Sequence, residues 1–141
     1  MNIRPFALSD EPAVIALWHE CKVTRPWNDP HKDIARKLAL QPELFLVGEV
    51  EARVIASVMA GYEGHRGWVN YLAVAPAFRG RGFARALMEH VERELLARGC
   101  PKVSLLVRRS NLEAMDFYRH LGYAEDDSVS LGKRLIADEP A

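Results

Sequence analysis

The sequence predicts one mixed α/β domain built around a single sheet, and three observations carry that expectation. The chain has 141 residues, enough for one hydrophobic core and short for two. Its apolar runs switch between the two-residue alternation of strands and the three-to-four-residue spacing of helices. A turn of two glycines and two arginines, Arg79-Gly80-Arg81-Gly82-Phe83-Ala84, joins a strand-like run to a strongly helical one.

The elements follow in order. Ile3 to Phe6 is a short first strand. Ser9-Asp10-Glu11-Pro12 supplies a cap, acidic groups and a first-turn proline to a helix whose apolar face is Val14, Ile15, Leu17, Trp18 and Cys21. Two prolines break the loop Thr24 to Pro30, and a second helix runs from Pro30 to Leu40. Leu44 to Val47 and Val54 to Tyr62 form a hairpin about a turn at Glu49 to Arg53, and Trp68 to Val74 is a third strand of the same kind. The patterned helix Ala84 to Arg98 stops at Gly99-Cys100-Pro101. Val103 to Val107 has almost no polar relief, as in a central buried strand. Asn111 to Leu121 is a short helix ended by Gly122, Ser128 to Ile136 alternates as a last strand, and Asp138 to Ala141 is a tail. No linker divides the chain, so residues 1–141 read as a single domain.

Composition narrows the functions. Apolar residues make up 49% and charged residues 27%, the balance of a soluble globular protein. Nineteen basic side chains offset nineteen acidic ones, which excludes a general nucleic-acid binder dependent on excess positive charge. Cys21 and Cys100 are too few and too far apart for a disulfide scaffold or a zinc site, and the histidines form no ligand set, so no metal is expected. The N-terminus lacks an apolar signal core and no run approaches the about 18 apolar residues of a membrane span, so a cytoplasmic location is expected. An exposed terminal strand at Ser128 to Ile136 would suit a partner's sheet edge and a homodimer.

The turn at Arg79 to Ala84 has the chemistry of an anion site. A helix start offers unpaired N–H groups and partial positive charge, glycines let the backbone approach a phosphate, and arginines add charged donors. No Lys-Ser or Lys-Thr follows the glycines, so it is not a P-loop. Arg85 stands where a dinucleotide fingerprint needs its third glycine, and its bulk opposes the close helix–sheet packing that glycine permits.

Arg79-x-x-Gly82-x-Ala84 does match the Gln/Arg-x-x-Gly-x-Gly/Ala signature of the GNAT superfamily of acyl-CoA-dependent N-acetyltransferases. Leu72-Ala73-Val74-Ala75-Pro76 resembles the strand and turn before that loop. Asn111-x-x-Ala114-x-x-x-Tyr118-x-x-x-Gly122-Tyr123 resembles the second signature. The likeness covers about Ile3 to Ile136, and Arg25 to Pro30 with Gly61 to Gly67 resembles the YpeA-type bacterial acetyltransferases.

The resemblance implies a mixed, mostly antiparallel central sheet flanked by helices, acetyl-CoA as donor, and direct transfer to an amine of a small molecule, peptide or protein. Gly80, Arg81, Gly82, Phe83 and Ala84 would cradle the pyrophosphate through backbone N–H groups, with the Arg79 and Arg81 side chains nearby. Leu72, Ala73 and Val74 would lie along the pantetheine arm, which a splayed pair of strands would hold. Asn111 would contact that arm, and Tyr118 would give a proton to the departing thiolate. The central strand lacks the glutamate many members carry. Glu63 and His65 are the nearest titratable groups for a base, and water reached through Asn70 or Tyr71 is the alternative. Arg25, Trp27, Asn28 and Asp29, in the loop between the first two helices, are acceptor-pocket candidates together with Asn70 and Tyr71. Without a strand carboxylate, a silent acyl-CoA sensor on the same fold is the competing function.

Overall fold

A computed structural model describes residues 1–138. The described chain falls into two compact units, one of Met1–Leu105 rejoined at Asp138 and one of Leu106–Ala137.

The first unit is a five-stranded sheet in chain order, β1 (Asn2–Pro5), β2 (Phe45–Val50), β3 (Arg53–Tyr62), β4 (Gly67–Val74) and β5 (Val103–Leu105). The first three pairings are antiparallel and β4 with β5 is parallel. That parallel step follows from the crossover helix α3 (Phe83–Ala97), because a parallel neighbour cannot be reached through a tight turn. Helices α1 (Glu11–Glu20) and α2 (Pro30–Leu38) fill the connection from β1 to β2. Pro12 lies in the first turn of α1, and Asp29 caps α2 by accepting the His31 N–H at 2.9 Å.

β3 is buried continuously from Ile55 to Ala60, which requires cover on both faces, and α1 and α3 both pack on it. Val14, Leu17 and Trp18 of α1 and Leu87, Met88, Val91 and Leu95 of α3 are almost wholly buried there. Gly67 begins β4 under the end of α3. A Cβ at that position would stand 2.8 Å from Leu95 Cδ1 and 3.0 Å from Cys100 Sγ, so close packing demands the glycine.

The second unit contains α4 (Leu112–His120) and an irregular segment after it. Here the structure departs from the sequence expectation twice. Ser128 to Ile136 forms no strand, and Leu131 is 92% and Leu135 86% exposed. Alternation specifies a strand only where a neighbour supplies a ladder, and this segment pairs with no strand among the described residues. The expected dimer contact therefore has no strand to act through. The strand read as central, Val103 to Val107, is instead shorter, Val103–Leu105, and forms the half-buried edge of the sheet.

The predicted tail is partly outside the described residues, but its first residue is not loose. Asp138 is buried on α2, where its carboxylate accepts Arg36 Nη2 at 2.6 Å and the Asp29 N–H at 3.0 Å. Lys32 Nζ donates to its carbonyl at 3.1 Å.

Candidate functional site

The site begins where β4 loses a neighbour. Its ladder with β5 spans Gly67 to Val69, whereas its ladder with β3 continues to Val74. A bulge interrupts the β3 ladder, with the register shifting between Ser57 and Met59 opposite Tyr71 and Leu72. Tyr71 takes a left-handed φ of +54°, an unusual conformation for a non-glycine residue. The Tyr71 carbonyl, displaced from the ladder, accepts the hydroxyl of fully buried Ser57 at 2.9 Å. Ser57 Oγ in turn accepts the Trp18 indole N–H at 2.9 Å.

Past the bulge, Ala75 donates its N–H to Ile55 O at 2.8 Å, and Ala73 pairs with Ser57. Alternation along the strand therefore turns the backbone groups of Val74 to the open side. The Val74 carbonyl there accepts Arg79 Nε at 3.1 Å and Cys21 Sγ at 3.3 Å. Arg79 thus ties the turn back onto its own strand through one of its nitrogens. Burial pushes the Cys21 thiol up, with Arg79 working against that shift, so Cys21 remains a thiol at neutral pH.

A short 3₁₀ turn, Pro76–Phe78, leads into the glycine loop. Gly80 and Gly82 have φ of +77° and +78°, and a Cβ on either would meet open space. Conformation, then, selects glycine here, and the space a side chain would take is clear at both positions. Gly82 caps α3, whose first backbone bond outside the regular ladder is Ala86 N–H to Gly82 O at 3.0 Å. The N–H groups before Ala86 stand at the open, positive end of a 15-residue helix. The Arg81 and Arg53 guanidinium carbons lie 5.1 and 5.9 Å from the centroid of the Phe78 ring. Arg53 enters this basic cluster from the start of β3, and nothing in the local sequence marked it.

Around the loop between α1 and α2, the candidates divide. Arg25 spends its guanidinium on the carbonyls of Lys22 and Thr24, at 3.0 and 2.8 Å, closing the end of α1. Asn28 donates its N–H to Arg25 O, and Asp29 is the α2 cap. Trp27 is 47% exposed, and Asn70 is exposed on β4. Tyr71 is held by both its ring and its hydroxyl. Its ring stacks on Trp18 with centroids 3.8 Å apart, and its hydroxyl donates to Asp33 Oδ2 at 2.5 Å. Burial first, then the Asp33 hydrogen bond, holds the Tyr71 phenol above the usual tyrosine range.

Glu63 and His65 lie at the other end of β4, about 20 Å along an eight-residue strand from Val74. The Glu63 carboxylate accepts the N–H groups of Arg66 and His65, and these bonds lower its pKa. It caps the turn, and a carboxylate so held is a weaker base than usual.

Within the second unit, Asn111 caps α4 by accepting the Ala114 N–H at 3.1 Å. Tyr118 is half-buried, edge-on to Phe117 at 5.0 Å and to Tyr123 at 5.7 Å. Burial pushes its phenol up to about 12, so it keeps its proton at neutral pH. Among the described residues no three His, Cys, Asp or Glu side chains gather into a metal-binding group.

The profile of the Acetyltransferase (GNAT) family matches residues 12–123. An acetyltransferase of Yersinia enterocolitica is 53% identical over 139 residues, 99% of both chains. The ribosomal-protein-S18-alanine N-acetyltransferase of Escherichia coli superposes with a TM-score of 0.71 at 26% identity, covering 89% of this chain and 78% of that one. AAC(6')-Iy, solved in complex with the bisubstrate analogue CoA-S-monomethyl-acetylneamine, has a TM-score of 0.77 over 96% of this chain and 98% of its own. At 18% identity that likeness concerns the fold alone. Sheet, crossover helix and glycine turn together define an acyltransferase of the acyl-CoA N-acyltransferase fold. The chain belongs to the GNAT acetyltransferase family.

Proposed function

We propose that this enzyme moves the acetyl group of acetyl-CoA directly to a primary amine of a small molecule, a peptide or a protein. The observation that carries this reading is the stretch of β4 beyond Val69, without a β5 partner and running into the Gly80–Gly82 turn. Backbone N–H groups from Gly80 to Ala84 hold the pyrophosphate, with Arg81 and Arg53 as neighbouring cations. Leu72, Ala73 and Val74 offer main chain to the pantetheine amides. With the Val74 carbonyl already accepting two bonds, its N–H is the group left for them.

The amine lone pair forms the new C–N bond as the C–S bond breaks, Tyr118 gives its proton to the leaving thiolate, and the proton the nitrogen sheds on becoming an amide passes to water, from which the tyrosinate regains one. Tyr118 holds its proton at neutral pH, as a donor must, although burial makes it a weaker acid than an exposed tyrosine. Asn111 contacts the pantetheine arm through the side-chain groups its cap leaves over. Tyr71 and Asn70 belong to the acceptor side, with Trp27, Asn28 and Asp29 at its rim. The family profile runs through both units, which supports a single N-acetyltransferase domain over residues 1–141. A cytoplasmic setting belongs to the same reading, in keeping with the free thiols Cys21 and Cys100.

Thiol release from acetyl-CoA with spermidine, kanamycin and an alanine-initiated peptide tests this. Turnover with one class is expected, and Tyr118→Phe should lower kcat about 100-fold with acetyl-CoA affinity unchanged. Failure to bind acetyl-CoA would overturn the role of the glycine turn. Binding without turnover on any amine would leave the proposed transfer unsupported and favour an acyl-CoA sensor.

A further inference from the structure

The hydroxyl of Tyr71 is constrained from three elements. Trp18 of α1 sets the ring plane, stacked at 12° between planes. Ser57 of β3 holds the backbone through the carbonyl at 2.9 Å. Asp33 of α2 takes the hydroxyl hydrogen at 2.5 Å. Asp33 is itself steadied, because its Oδ1 faces Arg36 Nη1 at 3.5 Å, and Arg36 is anchored by buried Asp138 at 2.6 Å. The chain thereby links its C-terminal end to the bulge in β4, through residues that pyrophosphate binding and thiolate protonation leave unused.

A phenol has one hydrogen and two lone pairs. With the hydrogen committed to Asp33, the Tyr71 oxygen can only accept from whatever else approaches it. We infer that Asp33 is a positioning residue for acceptor binding: it orients the Tyr71 hydroxyl so that the neighbouring acceptor group must be a hydrogen-bond donor, as a primary amine or ammonium is, rather than a carboxylate or phosphate. This inference rests on the amine-acetyltransferase function proposed above. The Asp33, Asp138 and Asp29 carboxylates add to burial in keeping Tyr71 a neutral phenol, so the oxygen acts as a fixed neutral acceptor at working pH.

Steady-state kinetics on the full chain test it, with acetyl-CoA and the amine among spermidine, kanamycin and an alanine-initiated peptide that supports turnover. Asp33→Ala is expected to raise the amine KM about ten-fold, the scale of one lost hydrogen bond, with the acetyl-CoA KM unchanged. Tyr71→Phe should do the same, and the double variant should be no worse than the poorer single, because the two residues act as one unit. Asp33→Asn keeps an oxygen that accepts the same bond and should stay within about three-fold of wild type. This variant keeps the test decisive if alanine loosens α2. Additive losses in the double variant, an equal fall for Ala and Asn, or wild-type kinetics in Asp33→Ala would overturn the inference while leaving acetyl transfer intact. A wild-type protein that binds acetyl-CoA but turns over none of these amines would overturn the proposed function and this inference together.

Discussion

Over its first three residues β4 is held on both sides, by β3 and by β5, whereas from Asn70 onward only the β3 side remains paired. At the held end, Gly67 lies under Leu95 and Cys100, Gly67 N–H donates to Lys102 O at 2.8 Å, and Glu63 caps the preceding turn with two backbone hydrogen bonds. At the open end a bulge, a left-handed tyrosine and two left-handed glycines follow in twelve residues. One end satisfies its backbone with neighbouring strands and helices. The other satisfies it with side chains, Ser57 for Tyr71 and Arg79 with Cys21 for Val74, and ends at a helix N-terminus. The contrast teaches that β4 stays regular where both neighbours hold it and takes up its bulge and left-handed residue at the end that runs into the glycine turn.

The comparison breaks most severely at Trp18, which supports the bulge from beneath. Trp18→Ala removes a fully buried ring, its stack on Tyr71 and its bond to Ser57, and should cost about 4 kcal/mol in denaturant unfolding. A cost under about 1 kcal/mol would show that the bulge stands without it.

The two kinds of glycine sharpen the contrast. Gly67→Ala forces a Cβ against Leu95 and Cys100 and should cost about 1–2 kcal/mol, with acetyl-CoA affinity unchanged. Gly82→Ala meets no clash but must hold φ near +78°, a cost of about 1 kcal/mol, and should weaken acetyl-CoA binding measured by calorimetry. Reversed readouts would erase the distinction between a packing end and a binding end.

Glu63→Gln should have the smallest effect. Its carboxylate is lowered in the folded protein, so its contribution to stability is present above the unfolded glutamate pKa near about 4.3 and is lost as pH falls through the folded value. The variant should therefore melt slightly below wild type at pH 7, with the gap closing in acid, while kcat stays the same. A large fall in kcat would restore Glu63 as the base.

Much of this was legible in the chain. The five strands and four helices depend on spacing within one segment, and the glycine turn is a local event, since positive φ, an open helix end and two arginines need no distant partner. What was not legible depended on residues far apart. Ser128 to Ile136 alternates as a strand does, yet a strand also needs a ladder, and ladders are made by residues far away in sequence. Glu63 and His65 were the nearest titratable groups in sequence to the central strand. An extended chain carries sequence neighbours away from each other at about 3.3 Å per residue, and both lie beyond the Gly67 end of β4, away from the glycine turn.

Asp33 and Asp138 gave no local sign. Asp33 meets Tyr71 across 38 residues, and Asp138 meets Arg36 across 102. The sequence by itself determined the alternation of strands and helices, the turn that can hold a phosphate and the family they define, because each is written in contacts a few residues long. Only the tertiary structure decided which end of β4 stays open, which carboxylate takes the Tyr71 hydroxyl and where the chain's last described residue is anchored. Those outcomes depend on how buried faces pack, and a side chain's partner there is chosen by space rather than by order.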